Sequence, residues 1–329
     1  MTLYLGGKAV SVNSMVTTEK EKTKLGFTID NFIGDLSDDG VLTSPKSIGN
    51  TLDFSGVVEW KADMRSGFYA KPIKNILFPD LKHLSGGSMY SMFEQNTAIQ
   101  TVSFPALVSI SATSACEYMF NQCSHLESLY FPELQEVLAG RPCPGMCQYC
   151  YELHTFSAPK LKTIGPYWEA GQFQYTFSNN TKLTNVDLTS LEKIEGYYAC
   201  SGMFSGCSKL ETILLPSLKT VGNLSSMGGE CNTMFTSCSS LSTVDLSGLE
   251  TILGKNTCQG MFQYCKSLTS ISFPSLTRIE GTTPMISMFS GCTNLLEIHF
   301  RADIQTTIEA LSEYSNKFGA TNATIYFDL

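Results

Sequence analysis

A repeated unit dominates the sequence. Counted from Met119 as position zero, the unit reads Met-Phe at 0 and plus 1, Cys at plus 4, Leu at plus 7, apolar residues at plus 10 and plus 12, and Pro at plus 13. The frame recurs at steps of 27 to 31 residues, with position zero at Met92, Met119, Met146, Thr176, Met203, Met234, Met261 and Met288. One unit cannot bury its apolar side alone, so we expect the units to stack into a solenoid with a shared core.

The spacing within the unit predicts the elements of each coil. Plus 10 and plus 12 alternate with polar neighbours, as in Thr243 to Leu246, which is the period of a half-buried strand. Apolar residues at minus 3, 0, plus 1 and plus 4 have the spacing of one face of a short helix. Proline at plus 13 ends the strand, and a second extended piece follows, as in Leu161 to Ile164. The predicted fold is an α/β solenoid with a parallel strand ladder and short helical turns on the opposite side.

The ends of the array require protection, because terminal coils would otherwise expose their core. We therefore predict four segments. Residues 1–24 form a hairpin around Gly6-Gly7 and a linker; residues 25–65 form an N-terminal cap with a degenerate repeat; residues 66–300 are the array; and residues 301–329 form a C-terminal cap of one helix and one strand.

The cysteines permit two interpretations. Cys143, Cys147 and Cys150 have the spacing of a cluster-binding loop in radical iron–sulfur enzymes. All twelve cysteines nevertheless fall on repeat positions minus 3 and plus 4, except Cys147 at plus 1, where free cysteine acts as a small apolar core residue. We favour the core interpretation and expect no metal and no cofactor. An iron–sulfur enzyme that uses this trio is the alternative.

Charge and motifs exclude several function classes. The net charge of −8 disfavours nucleic-acid binding, which needs clustered Lys and Arg. No stretch approaches the roughly 18 to 20 apolar residues of a membrane span. No G-x-S-x-G elbow, H-E-x-x-H pair or glycine-rich dinucleotide turn is present, so no enzymatic activity is expected.

The unit resembles the BspA-like leucine-rich repeat proteins of bacteria. The resemblance is carried by the motifs of Leu126 to Pro132 and Phe262 to Leu268 and covers about residues 66 to 300. It implies a leucine-rich repeat solenoid that binds a protein or glycan, in surface adhesion or host interaction. It also implies a cell-surface or secreted location, although we see no signal peptide or anchor. The alternative is an accessory or tail-associated binding protein of a phage or secretion assembly, docked through the front hairpin.

Two surfaces are candidates for binding. The first is the outer face of the strand ladder, at plus 8, plus 9 and plus 11, where side chains protrude from a rigid backbone. Its candidate residues are Tyr130, His154, Asp187, Leu214 and Asp245. A merely solvated sheet face is the other interpretation.

The second surface lies in the connecting loops of two adjacent units, at plus 21 and plus 22. Most units have small or polar residues there, but these two carry Tyr167-Trp168 and Tyr197-Tyr198. We expect the four rings to lie side by side, and such residues are enriched at binding hot spots. The alternative is that the rings fold back and cover the core.

Overall fold

Stacked parallel coils make up most of the part of the chain that the structure describes. The computed structural model describes residues 2–5, 8–11, 32–36, 42–48, 51–54, 57–60, 64–165, 171–225 and 227–329. The repeats form a solenoid of about ten coils, which confirms the expected leucine-rich repeat architecture. In chain order, each complete coil consists of a turn segment, a first strand and a second strand.

The first strands lie near plus 9 to plus 11 and pair in parallel, in register with the repeat. They are Thr51–Asp53, Asn75–Leu77, Thr101–Ser103, Ser128–Tyr130, Thr155–Ser157, Asn185–Asp187, Thr212–Leu214, Thr243–Asp245, Ser270–Phe273, Glu297–Phe300 and Thr324–Phe327. They form several short sheets of two to four strands. The plus 10 residue of the repeat, such as Phe156, lies in or against the core, as the alternation predicts. We call the outer side, formed by plus 8, plus 9 and plus 11, the strand face.

The second strands form one long sheet. They are Val57–Trp60, His83–Leu84, Ser109–Ile110, Glu136–Val137, Thr163–Ile164, Lys193–Ile194, Thr220–Val221, Thr251–Leu253 and Arg278–Glu280. Strands Thr2–Leu5 and Lys8–Ser11 pair as an antiparallel hairpin, which joins this sheet through Val57–Trp60 to give 11 strands. A separate antiparallel pair is formed by Phe32–Leu36 and Leu42–Ile48.

After the last repeat, the chain continues in short helices. These are a 3-10 helix at Ala302–Ile304, an α-helix at Gln305–Glu309 and a 3-10 segment at Ser312–Gly319. The final strand, Thr324–Phe327, pairs in parallel with Glu297–Phe300 and so extends the first-strand ladder by one further coil.

The turn segment corrects the expectation of a short helix in each repeat. Positions minus 5 to plus 4 form consecutive hydrogen-bonded turns, and the α-helix of the described residues lies beyond the repeats. In one coil, the amides of Met119 and Cys123 donate to carbonyls three residues earlier, at 3.1 Å each. The amides between them alternate: those of Phe120 and Gln122 donate to the next coil, at 2.7 and 2.8 Å.

Left-handed residues at every fourth position explain these turns. Positions minus 5, minus 1 and plus 3 have φ values of 49° to 80° in every repeat from Met92 to Met288. A right-handed helix cannot continue through such residues, so the segment breaks into turns and directs alternate amides to the neighbouring coil. The apolar residues still reach one side, which is why the spacing resembled a helical stripe.

Columns of identical side chains fill the core. The plus 7 leucines are fully buried: Leu126, Leu153, Leu183, Leu210, Leu241, Leu268 and Leu295. The plus 1 phenylalanines stack along the solenoid, and the rings of Phe204, Phe235 and Phe262 lie 5.5 Å apart. Cys147 replaces phenylalanine in this column, and there the ring of Phe156 approaches that of Phe177 to 4.3 Å.

Candidate functional site

Three of the predicted binding residues line one shallow concavity on the strand face. Tyr130, Asp187 and Leu214 come from plus 11 of different coils, and the concavity has a volume of about 380 Å³. It lies where the first-strand ladder passes from one sheet, ending at Asn185–Asp187, to the next, beginning at Thr212–Leu214. The polar residues of the lining include Thr155, Ser157, Thr184, Asn185 and Thr212. We call this concavity the strand-face groove; its size falls in the range of ligand sites.

The strand face is acidic. Between Gln100 and His299, the described positions plus 8, plus 9 and plus 11 hold carboxylates but neither Lys nor Arg. The carboxylates are Glu127, Asp187, Glu211, Asp245 and Glu297. Since these groups share one face, the local potential is negative and favours cationic side chains of a partner.

The polar candidates also make local contacts. The Asp187 carboxylate accepts a hydrogen bond from the Thr189 hydroxyl at 2.9 Å, and that of Asp245 accepts one from the Ser247 amide at 2.9 Å. Each aspartate therefore also stabilises the turn that follows its strand. His154 lies 3.9 Å from the carboxylate of Glu127. His154 and Asp245 share the strand face with the groove but lie outside its lining.

The predicted loop patch is described only in part. Tyr167 and Trp168 lie outside the described residues. Tyr197 and Tyr198 contact each other, with ring centroids 4.2 Å apart, and the hydrogen bond between their side chains, together with partial burial, raises the pKa of Tyr198. The Tyr198 ring also covers the backbone of Gly229 in the next coil, where an added Cβ would collide with it. That packing favours the alternative for Tyr198, a ring folded back on the solenoid.

The cysteine trio lies in the core. Cys143, Cys147 and Cys150 are fully buried, and burial is the main cause that raises the pKa of the Cys143 and Cys147 thiols. The Cys150 thiol donates to the Phe120 carbonyl at 3.0 Å. In the part of the chain that the structure describes, no three His, Cys, Asp or Glu side chains form a metal-binding group. The geometry supports the interpretation of these residues as core.

Position plus 4 is a hydrogen-bonding position, which the sequence interpretation missed. Six cysteine thiols there donate to the plus 1 carbonyl of the preceding coil at 2.9 to 3.2 Å: Cys123, Cys150, Cys207, Cys238, Cys265 and Cys292. Asn180 takes the same position and its amide group donates to the Cys147 carbonyl at 3.0 Å. Asn96, also at plus 4, donates to a different carbonyl of the preceding coil, that of Ile73, at 3.1 Å. The sequence did contain a signal of this role: two units have Asn at plus 4 where the others have Cys.

The groove also contains residues that sequence reasoning did not single out. Thr155, Asn185 and Thr212 occupy plus 9 and supply hydroxyl and amide groups beside the predicted plus 11 residues. The recurrence of Thr, Ser and Asn at plus 9 was visible in the sequence. Their grouping was not, because it depends on where the first-strand ladder is interrupted.

Known proteins match the repeats. A family model described as a BspA type leucine rich repeat region matches in 6 copies, over residues 65–170 and 144–317. No curated protein matches the sequence. Within the described residues, no helix has both the length and the apolar character that a bilayer crossing requires.

Several solved structures are similar at low identity. A leucine-rich repeat protein from Bacteroides ovatus is 17% identical with a TM-score of 0.29, covering 92% of this chain and 100% of that chain. The T. pallidum leucine rich repeat protein is 16% identical with a TM-score of 0.28, and the match covers 69% of this chain and 85% of that chain. A leucine-rich repeat protein from Eubacterium ventriosum is 15% identical with a TM-score of 0.20, and the match covers 77% of this chain and 91% of that chain. The similarity concerns the fold alone.

Proposed function

The chain belongs to the BspA-type leucine-rich repeat family, and we propose that it is a non-catalytic recognition scaffold that binds a partner protein through its strand face. The observation that carries this proposal is the strand-face groove, in which Tyr130, Asp187 and Leu214 meet on an acidic surface. Following the resemblance of its repeats, we propose that the binding serves adhesion at a bacterial surface or contact with a host component.

Rigidity supports recognition at this face. The strands that carry Tyr130, Ser157 and Asp187 pair in parallel with their plus 11 residues directly opposite one another. Side chains that project from a paired backbone lose little conformational freedom when a partner binds, so more of the contact energy remains as affinity.

The chemistry of the groove favours a protein with a basic contact surface. Asp187 lies in the groove, and Glu127, Glu211 and Asp245 lie on the same face. Leu214 is 42% exposed and offers an apolar contact among hydroxyl and amide groups. A basic rim around one apolar side chain would complement this pattern, and the carboxylates would accelerate association at low ionic strength.

A pair of matched double variants tests the proposal. The groove variant is Asp187→Asn with Leu214→Ser. The control variant removes one carboxylate and one exposed leucine away from the groove: Glu136→Gln on a second strand and Leu224→Ser in an exposed loop. The probe is an array of purified extracellular proteins of known isoelectric point, to which the full chain is applied at low and physiological salt.

We expect basic proteins on the array to bind wild type and control alike. The groove variant should bind them about tenfold or more weakly, and salt should weaken the wild-type signal. Equal binding by groove variant and control, or a preference for acidic proteins, would contradict the proposal.

A further inference from the structure

Five left-handed positions of the turn segments are occupied by tyrosine: Tyr118, Tyr149, Tyr175, Tyr198 and Tyr264. Left-handed φ is unusual for a bulky residue, so each instance requires an explanation. Four of these rings have a clear packing role, because each covers a glycine at the same position of the next coil, where a Cβ would collide with the ring. The pairs are Tyr118 with Gly145, Tyr175 with Gly202, Tyr198 with Gly229 and Tyr264 with Gly291.

Tyr149 departs from this pattern. The corresponding residue of the next coil is Asn179 rather than glycine. The ring of Tyr149 stands instead beside that of Tyr151, with centroids 6.2 Å apart and planes inclined by 53°. Tyr151 is 50% exposed, so the pair forms an aromatic surface that faces solvent.

The two rings border a shallow cavity of about 350 Å³. Its lining consists of Tyr149, Tyr151, Gln122 and Ser124, and we call it the tyrosine notch. The residues occupy plus 3 and plus 5 of two adjacent coils, so the notch lies between the turn segments and the first strands, apart from the strand-face groove. The amides of Gln122 and Tyr149 donate to the next coil at 2.8 and 3.0 Å, which holds the backbone of the notch in place.

The lining combines flat apolar surface with neutral hydrogen-bonding groups. Tyrosine offers an apolar ring face and a phenol hydroxyl, and Gln122 and Ser124 add an amide and an aliphatic hydroxyl. A pyranose ring has the complementary pattern, since axial C–H groups make one face apolar while hydroxyls surround its edge. None of the four lining residues is charged, and the chain carries a net charge of −8, so an anionic sugar is disfavoured.

We propose that the tyrosine notch is a second binding site, for a neutral hexopyranose unit of a glycan. The sugar stacks its apolar face on Tyr151 and Tyr149, and its hydroxyls bond to Gln122 and Ser124. This site is independent of the partner-protein surface on the strand face.

Saturation-transfer NMR with the full chain tests this site. The probes are the methyl glycosides of glucose, galactose and mannose, with methyl glucuronide as an anionic comparison. The variants are Tyr151→Ala and Gln122→Ala, and circular dichroism verifies that each is folded. The matched control is Tyr264→Ala, which removes a tyrosine of similar exposure, 48%, at plus 3 of a different coil.

We expect at least one neutral glycoside to bind wild type and Tyr264→Ala, with transfer concentrated on the protons of one ring face. Tyr151→Ala should weaken this binding about tenfold, as loss of an aromatic contact implies, and Gln122→Ala should weaken it as well. The proposal is overturned if no neutral glycoside binds, if glucuronide binds more tightly, or if the notch variants bind like the control. Loss of strand-face binding would leave this result unaffected, so the two proposals fail separately.

Discussion

Replacement of Asn180 tests the hydrogen-bonding role of position plus 4. Asn180 is fully buried, and its amide group donates to the Cys147 carbonyl at 3.0 Å. The side-chain oxygen of Asn180, Oδ1, accepts a hydrogen bond from the backbone amide of Cys150 at 2.8 Å. Asn180→Ala therefore removes the partners of two buried backbone groups, each worth about 1 to 3 kcal/mol when left unsatisfied.

Relaxation of the backbone reduces that cost. In other coils the plus 4 amide donates to the plus 1 carbonyl of its own coil, as Cys123 does to Phe120 at 3.1 Å, and the Cys150 amide can adopt this bond. The Cys147 carbonyl still loses its partner from the next coil, and a small cavity remains. We expect Asn180→Ala to lower the free energy of unfolding by about 2 to 4 kcal/mol.

Asn180→Cys supplies the decisive comparison. A thiol at this position reproduces the bond that six coils already make, so the variant should lie within about 1 kcal/mol of wild type. Thr181→Ala, at the exposed neighbouring residue, should change the free energy by no more than about 0.5 kcal/mol.

Urea denaturation under reducing conditions, followed by far-ultraviolet circular dichroism, provides the measurement. Because coils of a repeat array can open locally, hydrogen exchange at the Cys150 amide is measured alongside. The reasoning is refuted if Asn180→Ala is as stable as Thr181→Ala, or if Asn180→Cys is destabilised as much as Asn180→Ala.

Two further predictions concern the core. Leu241→Ala in the buried plus 7 column should cost about 2 to 5 kcal/mol, whereas Leu296→Ala, at a residue 59% exposed, should cost little; equal melting temperatures would contradict the register. Burial raises the pKa of Cys292 to about 11 and that of Cys207 to about 12, while a thiol of the unfolded chain ionises near pH 8.5. Above that pH the folded state holds more protons than the unfolded state, so the free energy of unfolding should fall between about pH 8.5 and 11. Urea titrations at several pH values in this range measure how the free energy of unfolding depends on pH. A free energy that does not change with pH would show that the thiols of the folded state ionise as readily as those of the unfolded chain.

The stacking of the coils could be predicted because burial requires it. Apolar residues at a fixed spacing, such as Met119, Leu126 and Leu129, reach a common core only if successive units lie on one another. The outward direction of the plus 11 residues followed from the alternation of the first strand. The sequence therefore predicted that Tyr130 and Asp187 face solvent on one side.

The turn segment could not be predicted from the same spacing. A short helix and a run of four-residue turns both place minus 3, 0, plus 1 and plus 4 on one side. Gly202 and Asn179 indicate left-handed backbone, but Tyr118 and Gln122 occupy equivalent positions and conceal the pattern. The groove was hidden for a different reason: no residue spacing marks the point where hydrogen bonding of the first strands is interrupted.

The geometry of the coil explains why cysteine recurs at position plus 4. The plus 1 carbonyl lies in the core, where it can accept a second hydrogen bond, and water is excluded. The residue at plus 4 of the next coil must therefore be small enough for the core and carry a donor. Cysteine satisfies both requirements with a weak donor, and asparagine satisfies them with a stronger one that also accepts from the adjacent amide. The occurrence of both residues at plus 4 is thus evidence that they share a hydrogen-bonding role. Metal binding or disulfide formation would not explain why asparagine replaces cysteine there.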